Sequence, residues 1–510
     1  MFTKTRMTSI EKILAMTLVI SFGCLAMSQA AWAEPKLPTE NIWYQNAMAE
    51  LKKKESQLRP NRQRAKNIIL MISDGNGIAT NYATRLYIGQ QAGGYGEEYV
   101  LPQETLPYLA LSKTYNTNAQ TPDSAGTATA MLSGVKTKAG IIGADERVAR
   151  GDCAALERGR VASFGEIMAA RGKSVGVIST ARITHATPAA VYAHSADRDF
   201  EDDSEIPQGC EQADIASQLV AAMKNGIVDV ALGGGRRHFV PRRALDVINH
   251  TARRKDKRNL LKDMKDSGFL VLSDKQDFDK ADFSAGPVIG LFNPTHMSFE
   301  HDRQTRKIDE PSLAAMTEKT IEKLQKNENG YFLMIEGGRV DHANHGANLH
   351  RTVTDGKAFA DAVAKVMQMT NPADTLLIVT ADHGHTLAFN GYCGRGSPIT
   401  GLCFQVDPKG ERYADSPNLA QDGLPYAVAN YMNGDTSIWS EGNDFRGQRV
   451  KLSQRAALKP DARQAALIPT AYETHSGLDV AIYASGPFAH LFTGTVEQNY
   501  IFNVMMRAVE

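Results

Sequence analysis

Asn67-Ile68-Ile69-Leu70-Met71-Ile72-Ser73-Asp74-Gly75 runs five uninterrupted apolar residues into a serine, an acid and a glycine. An apolar run without polar alternation predicts a strand covered on both faces. The acid at its end then sits at the carboxyl edge of a sheet, where open α/β folds bind their ligands. Residues 331–335 (YFLMI) repeat the pattern and end in Glu336. Residues 375–380 (TLLIVT) repeat it again and lead through Ala381 to Asp382 and His383. Three strands therefore deliver acidic or imidazole groups to one edge.

Around these three, further strands are predicted at 174–179, 228–232, 268–272 and 480–484. Helices are predicted at 164–171, 215–224, 312–326 and 353–369. Such alternation predicts an α/β fold of three layers, a mostly parallel central sheet with helices on both faces. Residues 386–470 break the rhythm. They are rich in Gly, Pro, Asn and Asp, and read as a late insertion within a catalytic domain spanning 67–510.

The 510 residues are 42% hydrophobic and 22% charged, with a formal net charge of zero. That balance argues against nucleic acid or an acidic membrane surface as a specific partner. At the N-terminus, Lys4, Arg6 and Lys12 lead into an apolar run at 13–27, followed by Ala31-Trp32-Ala33. This is the pattern of a cleaved signal peptide over residues 1–33, so the chain is expected to be exported, periplasmic or secreted. The run is short against the roughly 20 residues of a membrane span, so no stable membrane anchor is expected. Cleavage removes Cys24 and leaves Cys153, Cys210, Cys393 and Cys403. An even number in an exported chain suggests disulfides. Three pairings are possible; 153–210 with 393–403 is favoured because the two pairs lie in separate regions. Residues 34–66 form an N-terminal arm. Within it, 39–58 reads as an amphipathic helix carrying Ile42, Trp43, Met48, Leu51 and Leu58, packed on the core or on a partner subunit.

Asp341 and His345 stand at i and i+4, so on a helical turn they share a face and can grip one ion. His475, in a polar loop before the last strand, is a third donor of the kind catalytic zinc sites take from distant loops. Pro122-Asp123-Ser124-Ala125-Gly126 precedes small residues that suit a new helix. Ser124 at a helix N-terminus meets free N–H groups that favour an anion. No G-x-S-x-G is present, so an esterase-type nucleophile elbow is not supported. A serine hydroxyl is a weak nucleophile, and metal coordination is one way to activate it.

With these motifs in place, the chain resembles the alkaline phosphatases over about 67–486. The stretch 122–134 is similar to that family's phosphorylated-serine motif, with Thr121 standing where many members have a branched aliphatic residue. The resemblance implies two Zn2+ and one Mg2+ per subunit. Asp341, His345 and His475 would hold the first zinc, and Asp74, Asp382 and His383 the second. Asp74 would also reach the magnesium, shared with Thr187 and Glu336. Arg198 would clamp the phosphate. Asp123, His185 and His342 would stand beside these groups without binding an ion, and His385 receives no ligand role. The expected activity is hydrolysis of phosphate monoesters through a phosphoserine, with broad leaving-group tolerance and an alkaline optimum. A homodimer is implied, with 39–58 and a crown-like 386–470 region at its interface. Sulfatases and phosphodiesterases share the scaffold, and an exported phosphate- or metal-binding protein would need similar ligands. Thr187 with Glu336 favours the monoesterase, and Ser124 favours turnover over binding alone.

Overall fold

The computed structural model describes residues 39–242, 252–410, 413–438 and 449–510. The expected signal peptide lies outside the described residues. The chain divides into two units, 1–57 and 58–510. The described part of the first holds helix α1 (Ile42–Gln57), none of whose residues is buried; Trp43 and Ile42 are exposed apolar side chains.

The second unit is built on a ten-stranded sheet. Its strands are β1 (Asn67–Ser73), β2 (Tyr108–Lys113), β3 (Ser174–Arg182), β4 (Val230–Gly234), β5 (Leu270–Leu272), β6 (Val288–Leu291), β7 (Tyr331–Gly337), β8 (Thr375–Thr380), β9 (Val480–Ser485) and β10 (Thr495–Glu497). Their order across the sheet is β10-β2-β9-β8-β1-β7-β3-β4-β6-β5. β9 pairs antiparallel with both neighbours and every other pairing is parallel, so β9 alone runs against the rest. β1 lies at the centre, between β7 and β8.

The uninterrupted apolar run of β1 is explained by what covers it. Ile68, Leu70 and Ile72 enter one hydrophobic cluster, and Ile69 and Met71 the other. Successive side chains of a strand point to opposite faces, so both faces must be apolar. The first cluster takes in side chains from helices α3 (Ser124–Ser133), α4 (Phe164–Ala170), α5 (Ile215–Lys224) and α9 (Tyr500–Val509). The second takes in side chains from α6 (Leu313–Leu324) and α8 (Leu349–Met369). This is the three-layer arrangement expected from the alternation. Each fully buried Ile or Leu contributes roughly 1.5–3 kcal/mol, so the central strands anchor the positions of whatever follows them.

The 386–470 region carries its own small sheet of Leu387–Phe389, Ala429–Gly434 and Ala466–Pro469. Leu387, Ile399, Val428 and Tyr431 share a hydrophobic cluster with Ala83 and Leu86 of α2 (Ile78–Gln91) and with Leu349 and Val353 of α8. Cys153 is bonded to Cys210 and Cys393 to Cys403, the favoured pairing. No helix among the described residues is long and apolar enough to cross a membrane.

Candidate active site

The register of the central strands brings the acids together. Ile72 of β1 lies level with Glu336 of β7 and Thr380 of β8, and Glu336 lies level with Ser179 of β3. Two residues further on, Asp74 and Asp382 emerge side by side. The Gly75 N–H donates to Asp382 Oδ1 over 3.0 Å. Gly75 holds φ at +70°, and a Cβ there would lie 2.4 Å from His385 Nε2, so only glycine fits this turn. β7 ends and the chain turns at once into helix α7 (Arg339–His345), which carries Asp341 and His345 on one face.

Ser124 is the first residue of α3. Its Oγ lies 3.2 Å from His383 Nε2 and 3.4 Å from Asp74 Oδ1. Asp123 caps the helix, accepting the Gly126 N–H at Oδ1 over 3.0 Å. At Oδ2 it accepts the Gly140 N–H and Arg198 Nη1, at 2.9 and 3.0 Å. Burial works against the Asp123 charge, but Arg198 and these N–H groups outweigh it and hold its pKa low. Arg198 Nη2 lies 2.9 Å from His185 Nε2. Ser124, Arg198, His185, His342, Asp341, His345 and His475 line one pocket of about 350 Å³.

Three donor groupings surround it, the ligand atoms of each lying within 4.8 Å of one another: Asp341, His345, His385 and His475; Asp74, Asp341 and His383; and Asp74, His185 and Glu336. In the first, Asp341 Oδ1 lies 2.8 Å from His385 Nε2, 3.2 Å from His475 Nε2 and 3.3 Å from His345 Nε2. His475 is turned by its Nδ1, 2.8 Å from the Pro122 carbonyl. Beside the second, Asp382 Oδ2 lies 3.3 Å from His383 Nε2. In the third, Glu336 Oε2 accepts the Ser179 hydroxyl, and the fully buried Thr187 lies close enough to pull the Glu336 pKa down.

Asp74, Glu336, Asp341 and Asp382 are all buried. Burial, then the neighbouring acids, push Asp74 well above the usual carboxylate range. Burial raises Asp382 also, and raises Glu336 to about 8. Burial would raise Asp341 too, but His345, His385 and His475 outweigh it and hold it well below. Four carboxyl groups crowded into a dry edge call for cations. Asp74 Oδ2 and Glu336 Oε1 are buried without a hydrogen-bond partner, which fits a divalent ion shared by these two oxygen donors.

Some participants drew no ligand role from the sequence. His385 lies in the first grouping, with Nδ1 2.6 Å from Glu473 Oε2, and Glu473 is fully buried. His296 lies tilted against His342 with ring centroids 4.0 Å apart, and edge-on to His185 at 5.5 Å. It follows β6, a strand of four residues, so nothing in its surroundings marked it. His342 itself faces the pocket and points Nδ1 at the Gly338 carbonyl, 2.8 Å away.

The chain is similar to known proteins over most of its length. The alkaline phosphatase family model matches residues 65–510. The tissue-nonspecific alkaline phosphatase of Rattus norvegicus is 37% identical over 516 residues, covering 96% of this chain and 92% of its own. Among solved structures, the alkaline phosphatase of Thermus thermophilus aligns with a TM-score of 0.63 at 23% identity, covering 89% of this chain and 93% of its own. A variant of TAB5 alkaline phosphatase, with magnesium bound in its M3 site, gives 0.58 at 22% identity, covering 88% and 99%. With the family matched from residue 65 to 510 and a curated relative alike over nearly the full length, the chain belongs to the alkaline phosphatase family of metal-dependent phosphate monoester hydrolases.

Proposed function

We propose that this chain releases inorganic phosphate from phosphate monoesters through a phosphoserine formed on Ser124. The observation that carries the reading is the place of Ser124: a helix N-terminus whose hydroxyl lies against Asp74 and His383, with Arg198 lining the same pocket. Asp341, His345 and His475 would hold one Zn2+, and Asp74, Asp382 and His383 a second. Asp74, Glu336 and Thr187 would hold Mg2+, with His185 standing beside them. When bound, such cations neutralise phosphoryl charge and favour ionised hydroxyl groups beside them.

Arg198, held by Asp123, donates to two phosphoryl oxygens. The free N–H groups at the start of α3 add to the attraction for the anion. The Ser124 oxygen attacks phosphorus in line, the P–O bond to the leaving group breaks, and Ser124 carries the phosphoryl group. Water then cleaves the phosphoserine, returning the hydroxyl and freeing phosphate. The acceleration comes from positioning and charge stabilisation. The pocket's polar groups converge on the phosphoryl position, so many leaving groups are accepted. The imidazoles and carboxylates bind cations only when deprotonated, so activity rises toward alkaline pH.

The wider setting completes this reading. Residues 1–33 act as a cleaved export signal. Two copies associate through the exposed apolar side chains of α1 and of the 386–470 region, such as Trp43, Leu419 and Ile468.

The test compares p-nitrophenyl phosphate, bis-p-nitrophenyl phosphate and p-nitrophenyl sulfate. The monoester is expected to be turned over fastest, and preference for the diester or the sulfate defeats the reading. Ser124→Ala should lower kcat about 10³-fold or more. Acid-quenched enzyme should yield a phosphorylated peptide containing Ser124, and unchanged hydrolysis in the variant removes Ser124 from this role.

A further inference from the structure

Arg198 stands between Asp197 and Asp199, two acids on the same loop as a side chain that lines the pocket. The charge of Asp199 is felt at Arg198. Unpaired, such acids compete with a phosphoryl group for the guanidinium. One basic side chain from another part of the chain takes up both. Arg150 donates through Nε and Nη2 to the two oxygens of Asp197, at 2.9 Å each, and through Nη2 to Asp199 Oδ2 at 2.6 Å. The Asp199 N–H closes the turn on Asp197 Oδ1 over 3.0 Å.

Arg150 also lies over the residue that ties Arg198 to its anchor. Gly140 donates its N–H to Asp123 Oδ2, and its carbonyl accepts the Arg198 N–H over 2.8 Å. Gly140 holds φ at +85°, and a Cβ there would lie 2.6 Å from Arg150 Cδ, so the arginine stem covers this glycine closely. The segment that carries Arg150 is itself fixed. The Gly151 N–H donates to the Ala196 carbonyl over 2.9 Å, and Cys153 is bonded to Cys210. Asp123 thus holds the tip of the Arg198 side chain, while Arg150 and Gly140 hold its base.

We infer that Arg150 is a positioning residue for phosphate binding: by occupying Asp197 and Asp199 it keeps the Arg198 guanidinium free for the anion. The inference rests on the reading above in which Arg198 meets the phosphoryl group. A planar fork suits this task, since it meets both oxygens of Asp197 and still reaches Asp199, whereas a lysine offers a single charged point.

The experiment uses the zinc- and magnesium-loaded enzyme, with calorimetric binding of inorganic phosphate and steady-state hydrolysis of p-nitrophenyl phosphate. Arg150→Ala should raise Kd for phosphate and KM about fivefold each, with kcat changed less than about twofold. Arg150→Lys should lose about twofold. Half-exposed ion pairs add little to folding, so Tm should move by less than about 3 °C. The decisive measurement repeats Arg150→Ala in an Arg198→Ala background, where Kd should change less than about twofold. A fivefold loss that persists there would mean that Arg150 acts on the anion by its own charge, and would overturn the inference. An unchanged Kd in the Arg198-containing enzyme would overturn it as well. Absence of hydrolysis in the unsubstituted enzyme would defeat the monoesterase reading, and the phosphate-binding cycle would still decide the role of Arg150.

Discussion

Asp123 joins two parts of the site through its two oxygens. Oδ1 caps α3 and accepts Asn116 Nδ2 at 3.0 Å; Oδ2 accepts Gly140 and Arg198. The sequence placed it next to Ser124 but could not show that the same carboxylate holds the arginine, because Arg198 is 75 residues away. His385 and Glu473 drew no role from the sequence for the same reason: their partners come from other elements. Asp123→Ala should cost about 1 kcal/mol in cap stability. It should also raise KM for p-nitrophenyl phosphate about tenfold, since Arg198 loses a charge-assisted bond. Asp123→Asn separates the two effects. An amide can still cap the helix but presents no charge to Arg198, so stability should stay near that of the unsubstituted protein while KM rises. An asparagine variant with ordinary KM would show that Arg198 needs no such anchor.

Elements were legible in proportion to their burial. β1, β7 and β8 are covered on both faces and wrote themselves as unbroken apolar runs. β2 is only half buried, and its apolar residues stop after Leu111 at Ser112 and Lys113. β6 is four residues long, too short for any periodicity to show. The end of β3 illustrates a further limit, since its Arg182 makes sense only with the loop that follows. Arg182 donates to both oxygens of Glu201, which also lies 3.4 Å from His238 Nε2. Burial alone would raise the Glu201 pKa, but His238 and Arg182 outweigh it and bring it to about 2 from the ordinary 4.5. The unfolded carboxyl takes up a proton near 4.5 and the folded one only near 2. The stability from this pairing is therefore fully present above pH 4.5 and is lost as pH falls toward 2, on the order of 3 kcal/mol. Urea unfolding at pH 5 and pH 3 should show a smaller difference for Glu201→Gln than for the unsubstituted protein. Equal differences in the two proteins would mean that Glu201 is not held ionised by its neighbours.

At the scale of the whole molecule, the central feature is that β1, β7, β8 and α7 send four acids to one dry edge. The sheet order puts them there whatever the cost of crowding, and cations are what offset that cost. Stripping the ions with a chelator should then expose the repulsion, and its sign follows from the direction of the shifts. Asp74, Asp382 and Glu336 are raised by burial and by neighbouring acids, Glu336 to about 8 from 4.5. A group raised on folding binds its proton more tightly in the folded chain than in the unfolded one. Stability of the stripped protein should therefore fall as pH climbs from about 4.5 to about 8, by an amount on the order of 5 kcal/mol for Glu336. In the loaded protein, bound ions take the place of those protons and add their binding free energy to folding. The gap in Tm between loaded and stripped protein should thus widen from pH 5 to pH 8.5, and zinc with magnesium should restore both Tm and hydrolysis. A gap that stays constant or narrows with rising pH would show that the four acids do not share a cation-dependent cluster, and the proposed metal sites would fall with it.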